Sequence, residues 1–133
     1  MTKKEWLKRA RTINEELKQL KIARQEAWDI ATAATSGTTG ERVKRSRENS
    51  SEKNNHTLLE YDLKISMQKE KLLQCKTEIL EAIAMVEDSR YRTLLTAYYV
   101  NCKSWEEVAV QMNYGIRQVY RLHGDALQKI KIA

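Results

Sequence analysis

The stretch SWEEVAVQMNYGIRQVYRLHGDAL, Ser104 to Leu127, decides how the chain is read. Ser104 stands three residues before Glu107, the spacing in which a hydroxyl caps a helix start and an acid follows in the first turn. Trp105, Val108, Ala109 and Met112 then share one apolar face. Asn113-Tyr114-Gly115 breaks that pattern, and a longer one opens at Ile116, with Val119, Leu122, Ala126, Leu127 and Ile130 on its inner side. A short helix, a tight Gly-containing turn and a longer helix make the layout of a helix-turn-helix.

Just upstream, Tyr91, Leu94, Leu95, Tyr98 and Tyr99 fall at i, i+3, i+4, i+7 and i+8, the single face of a third helix. Ser89 is its expected N-cap, after the break Glu87-Asp88-Ser89, and Asn101-Cys102-Lys103 ends it. Two long patterns precede it. Trp6, Ala10, Ile13, Leu17, Leu20, Ala27, Ala31 and Ala34 form one apolar seam, interrupted by Arg24. Leu58, Tyr61, Ile65, Leu72, Cys75, Ile79, Ala82 and Val86 form a second, interrupted by Gln68. Neither seam can stay in water. Each is covered by the other in an antiparallel hairpin, or by a second chain in an oligomer where Arg24 and Gln68 would set the register. Between the seams lies TSGTTGERVKRSRENSSEKNNH, residues 35–56, polar and without period, which reads as a linker. Its basic cluster VKRSR serves either solubility or a nucleic-acid backbone. The expected fold is therefore all-α: a long two-helix hairpin or coiled coil over 1–88, then a helix-turn-helix domain over 89–133.

Composition agrees with long helices, since the 133 residues include no Pro and only four Gly. The formal net charge of +6 favours polyanionic partners without choosing among them. No apolar run is long enough to cross a bilayer. The start MTKKEWLKRARTINEEL has no apolar segment behind its charges, so no secretion signal is expected. The first helix is basic and amphipathic, but its alanine-rich later half is a weak membrane anchor. The cytoplasm, with Cys75 and Cys102 as free thiols, is the expected setting. There is no nucleophile elbow, phosphate-binding loop or metal-ligand spacing, so neither enzyme activity nor a cofactor or metal is expected.

Arg117, Gln118, Tyr120 and Arg121 fall away from the Val119–Leu122 face and are the candidate groove-reading residues. Arg can grip guanine through two donors, and Gln can pair adenine through a donor and an acceptor. Gly115 leaves the helix N-terminus open to a phosphate. Lys103 and Lys129 or Lys131 are placed to hold flanking phosphates, and Tyr114 sits in the turn beside them. Trp105 and Tyr98 read as supporting core residues. His123 reads as a partly buried polar group or a phosphate contact. The plain alternative is that Arg and Gln are ordinary helix formers on a solvated face.

The segment from Tyr91 to Ile130 also resembles the C-terminal part of a family of small phage and prophage proteins grouped as DUF1492, related to the RinA and ArpU type regulators of late genes. The resemblance is carried by Trp105, Glu106, Glu107 and Ala109, then Asn113 and Tyr114, then Arg117, Val119, Tyr120, Arg121, Leu122, His123, Gly124, Ala126 and Leu127. More distantly the segment is similar to region 4 of the sigma-70 factors, whose helix-turn-helix reads a promoter element. That resemblance implies that Ile116, Arg117, Tyr120 and Arg121 lie closest to bases. Gly115 and Ile116 depart from the polar residues common there. The N-terminal helix pair carries no aromatic-rich patch of the kind that melts promoter DNA, so a full sigma factor is not expected. The function implied is a double-stranded-DNA-binding activator of phage late genes, possessing a contact to RNA polymerase and a homodimer built through the long helices. A DNA-packaging protein of the small-terminase kind and a helical adaptor are the alternatives.

Overall fold

Without proline, and with few glycines to loosen the backbone, helices can run long. The computed structural model describes residues 1–33 and 41–132, the side chains of 41–51 excepted. The described residues are all-α. They comprise α1 (Lys3–Ala33), α2 (Glu41–Ala84), α3 (Ser89–Leu95), a π-helical turn (Thr96–Val100), α4 (Trp105–Met112) and α5 (Ile116–Lys129). None of these helices is long and apolar enough to cross a membrane. Packing divides the chain into two units: Met1–Asn14 with Lys71–Ala133, and Glu15–Glu70. The boundary expected between 88 and 89 thus runs through the interior of the first unit.

In the Glu15–Glu70 unit, α1 and α2 pair antiparallel. Gln68 donates to the Glu16 carboxylate at 2.9 Å. Farther along α1 and earlier in α2, Arg24 donates to Asp62 at 2.7 Å. The two polar positions in the apolar seams are therefore cross-links within one chain. Among the described residues, Leu17, Leu58 and Ile65 are the buried apolar side chains between them. Ala27 and Ala31 are half-buried, and Ala34 lies outside the described residues.

Of the expected linker, 35–40 lie outside the described residues, but 41–56 are not a linker: they continue α2. Beyond Gly40 the segment has no helix breaker, and Glu, Arg and Lys are good helix formers. It is polar all round, so it shows no period even though it is helical. The side chains of VKRSR lie outside the described residues.

In the other unit, Leu7 is fully buried in the place the seam assigned to Trp6. Leu7 precedes Ala10 by three residues and so shares its face, while Trp6 stays at the rim with the Arg9 guanidinium 4.6 Å from its ring centroid. Arg9 also pairs with Glu78 at 3.0 Å. From α2 this unit buries Leu72, Cys75, Ile79, Ile83 and Val86. After α2 ends, the Arg92 guanidinium donates to the carbonyls of Val86 and Glu87, both at 2.7 Å. It thereby pairs two carbonyls of the turn between α2 and α3.

The N-cap of α3 is Asp88, not Ser89. The Asp88 carboxylate accepts the Arg90 backbone N–H at 2.9 Å, and an ionised oxygen is the better acceptor. The Arg90 side chain, bonded to the same carboxylate, holds its pKa below the ordinary value. The helix then widens into the π-helical turn, where Asn101 N–H reaches Thr96 O at 2.9 Å. Cys102, at φ 56°, closes it in the left-handed region. α5 packs against both α3 and α4.

Candidate functional site

The α4–α5 pair is built by local chemistry. Ser104 caps α4, its hydroxyl oxygen accepting the Glu107 N–H at 3.2 Å and donating to the Glu107 carboxylate at 3.3 Å. Asn113 ends the helix at φ 58°, a conformation that asparagine tolerates better than most residues. Tyr114 N–H then closes on Ala109 O at 2.9 Å. Gly115 precedes α5 in an extended conformation and offers no side-chain cap. A Cβ at Gly115 would meet nothing within 4 Å, so the turn has room for a larger residue.

α5 has two unlike faces. Val119, Leu122, His123 and Ala126 are buried, and Ile130 is buried just beyond the helix. On its first turns Ile116, Arg117, Gln118, Tyr120 and Arg121 are all exposed, Ile116 by 37% and Tyr120 by 50%. Among the described residues neither Arg117 nor Arg121 is held in an ion pair. These five candidate residues are thus brought together on one end of one helix. The remaining three are placed differently. Tyr114 is half-buried in the turn. Lys103 stands at the start of α4 with its ammonium 3.8 Å from Glu107, which partly meets its charge. Lys129 lies at the far end of α5, where it and Lys131 border a cavity of about 560 Å³ beside Glu87, Asp88 and Tyr91.

No protein-family model, curated protein or solved structure matches the chain.

Beneath the exposed face lies an aromatic cluster. Tyr98 stacks on Trp105 with centroids 3.7 Å apart and planes 9° from parallel. Trp105 meets the edge of Tyr120 at 5.9 Å and the His123 ring at 4.5 Å. The Tyr99 hydroxyl and His123 Nε2 are 2.6 Å apart in the buried interior. Burial pushes the His123 pKa down to about 4, assisted by the positive charges of Lys4 and Lys8. Burial likewise raises the Tyr99 pKa well above its ordinary value. Both groups are therefore neutral near pH 7 and share one proton-mediated bond. His123 is a core residue whose Nε2 is already engaged, not a phosphate contact.

Spacing in the sequence does not point to several further contributors. Arg11 donates through Nη1 to Tyr98 O at 2.7 Å and to Lys103 O at 2.9 Å, with its guanidinium 4.0 Å from the Tyr98 ring centroid. It ties α1 to the end of the π-helical turn and to the residue before the α4 cap. Lys3 Nζ donates to Leu127 O at 3.2 Å, so the start of α1 lies against α5. Only the helical spacing of Lys4, Lys8 and Arg11 signals a shared basic face. Among the described residues no three His, Cys, Asp or Glu side chains gather to hold a metal. Cys75 and Cys102 are free, and burial raises the Cys75 thiol pKa, which disfavours the reactive thiolate.

Proposed function

We propose that this chain is a sequence-specific DNA-binding regulator, with α5 as the helix that enters the major groove. The observation that carries it is the split character of α5: a buried apolar stripe beside first turns that expose Arg117, Gln118, Tyr120 and Arg121 together. An anchored inner face holds such a helix at fixed orientation, and donors on the outer face can then meet base edges. Arg117 and Arg121 supply bidentate donors, Gln118 supplies a donor and an acceptor, and Ile116 offers apolar contact to a thymine methyl. The first turn of α5, without a capping side chain, leaves backbone N–H groups for a phosphate.

The resemblance to phage late-gene regulators gives the biological role: an activator that recruits RNA polymerase in the cytoplasm of a bacterial host. A homodimer through the long helices belongs to the same proposal. The exposed Ile22, Ile30, Leu59, Leu63 and Met67 supply apolar surface for it, since the inner seam is already occupied within the chain. Tyr114, Lys103 and Lys129 are assigned to the DNA backbone.

The test is selection of bound duplexes from a randomised library at near-physiological salt, with Arg121→Ala beside the parent protein. A single enriched motif that the variant loses supports groove reading. Uniform capture, equal in both proteins, overturns it and favours packaging or adaptor roles.

A further inference from the structure

α1 begins against the helix that the proposed function places in the groove. Lys3 is bonded to the Leu127 carbonyl near the end of α5. Arg11 is bonded to Tyr98 and Lys103, on the approach to α4. These two anchors, eight residues apart in the sequence, fix the helical segment between them within the same packed unit. Lys4 and Lys8 precede Arg11 at helical spacing and so lie on its side of α1, while Leu7 and Ala10 are fully buried. Both lysines are exposed, and among the described residues neither forms an ion pair. Their depressing effect on His123 agrees with positions beside the middle of α5.

On the α5 wheel, Tyr120 and Leu127 lie on the edge next to the buried stripe, and Arg117 and Arg121 lie beyond them. α1 therefore borders the exposed face of α5 along one side. Glu5 accepts the Thr2 backbone N–H and Glu107 faces Ser104 and Lys103; among the described residues neither acid forms an ion pair with Lys4 or Lys8.

We infer that Lys4 and Lys8 form a phosphate-holding flank for duplex DNA, so that the first turns of α1 are part of the nucleic-acid surface and not solely of the helix pair. This rests on α5 being the groove-reading helix. A duplex seated on Arg117 and Arg121 presents its backbone to either side of the groove, and ammonium groups on a rigid neighbouring helix meet it as point charges. Because phosphate contacts carry no base information, they set affinity and its salt dependence but leave the preferred sequence alone.

The test is a salt titration of duplex binding by fluorescence anisotropy for the parent chain, Lys4→Ala/Lys8→Ala, Lys4→Arg/Lys8→Arg and Arg121→Ala. Circular dichroism establishes that each is folded. The expected result is a log K against log salt slope shallower by about 0.9 for each phosphate left without its lysine, close to two units in the double alanine variant. Its preferred motif is retained and the arginine pair restores the slope. A folded double alanine variant with the parental slope overturns the flank while leaving α5 as the reader. Loss of motif preference in that variant also overturns it, since the lysines would then be acting on bases. Absence of duplex binding by the parent chain overturns the flank and the groove-reading helix together.

Discussion

The two packed units are made from the same two long helices, yet they are held together differently. Among the described residues of the Glu15–Glu70 unit, three buried apolar side chains and two polar cross-links join α1 to α2, while Ile22, Ile30, Leu59, Leu63 and Met67 face water. Cross-links such as Arg24–Asp62, between a half-buried guanidinium and an exposed carboxylate, contribute about 0–1 kcal/mol. In the other unit the ends of the same helices meet three more, and Leu7, Ile79, Leu94, Leu95, Tyr99 and Val108 are removed from water. A helix pair alone has one seam to bury. Added helices enclose a core. Stability should therefore be concentrated beside the candidate DNA surface, which gives the exposed turns of α5 a rigid support.

The largest expected contrast is between two leucines. Leu94→Ala, at a site with no solvent exposure, should cost about 2–5 kcal/mol, whereas Leu63→Ala, on the exposed face of α2, should change the stability of the monomeric chain by less than about 0.5 kcal/mol. Urea denaturation monitored by circular dichroism measures both. Equal costs would mean that the units do not differ as their burial indicates.

A second contrast concerns pH. His123 has a folded pKa of about 4 against an ordinary value of 6.5. The unfolded chain takes up its proton first as pH falls, so the stabilisation is full above pH 6.5 and is lost as pH falls toward 4. The loss over that window is about 3 kcal/mol. His123→Gln should flatten this part of the stability–pH curve relative to the parent, and an unchanged curve would assign the acid sensitivity elsewhere. The smallest effect is a gain. Gly124 lies inside α5, and a methyl group placed there would meet nothing within 4 Å. Gly124→Ala should therefore add about 0.5–1 kcal/mol, read as a raised thermal midpoint.

The elements nearest the proposed reading helix are the most legible in the sequence, because their signals are local. The Ser104 cap, the Asn113–Gly115 break and the two apolar faces each depend on residues within a turn or two. The all-α fold and the long helix pair follow from seams at helical spacing. Other features are hidden for identifiable reasons. Trp6 outweighs Leu7 by size, although Leu7 lies in phase with Ala10. Ser89 looks like the cap, but the Asp88 carboxylate is the stronger acceptor. Residues 41–56 show no period because a polar helix has none. Spacing sets Arg11 on the basic face of α1 but does not reveal its partners, which are 87 and 92 residues away. Periodicity groups the five exposed residues of α5 as the fold does. Lys103 and Lys129 stand out in the sequence by charge alone, which reveals neither the nearby Glu107 nor the far end of the helix.

The Arg11 and Lys3 bonds carry a consequence for biosynthesis. Side chains of α1 leave the ribosome well before their carbonyl partners, at separations of 87 to 124 residues. The unit that supports α5 can close only once α5 itself has emerged, so a ribosome-bound fragment ending before that helix would lack the surface proposed for DNA.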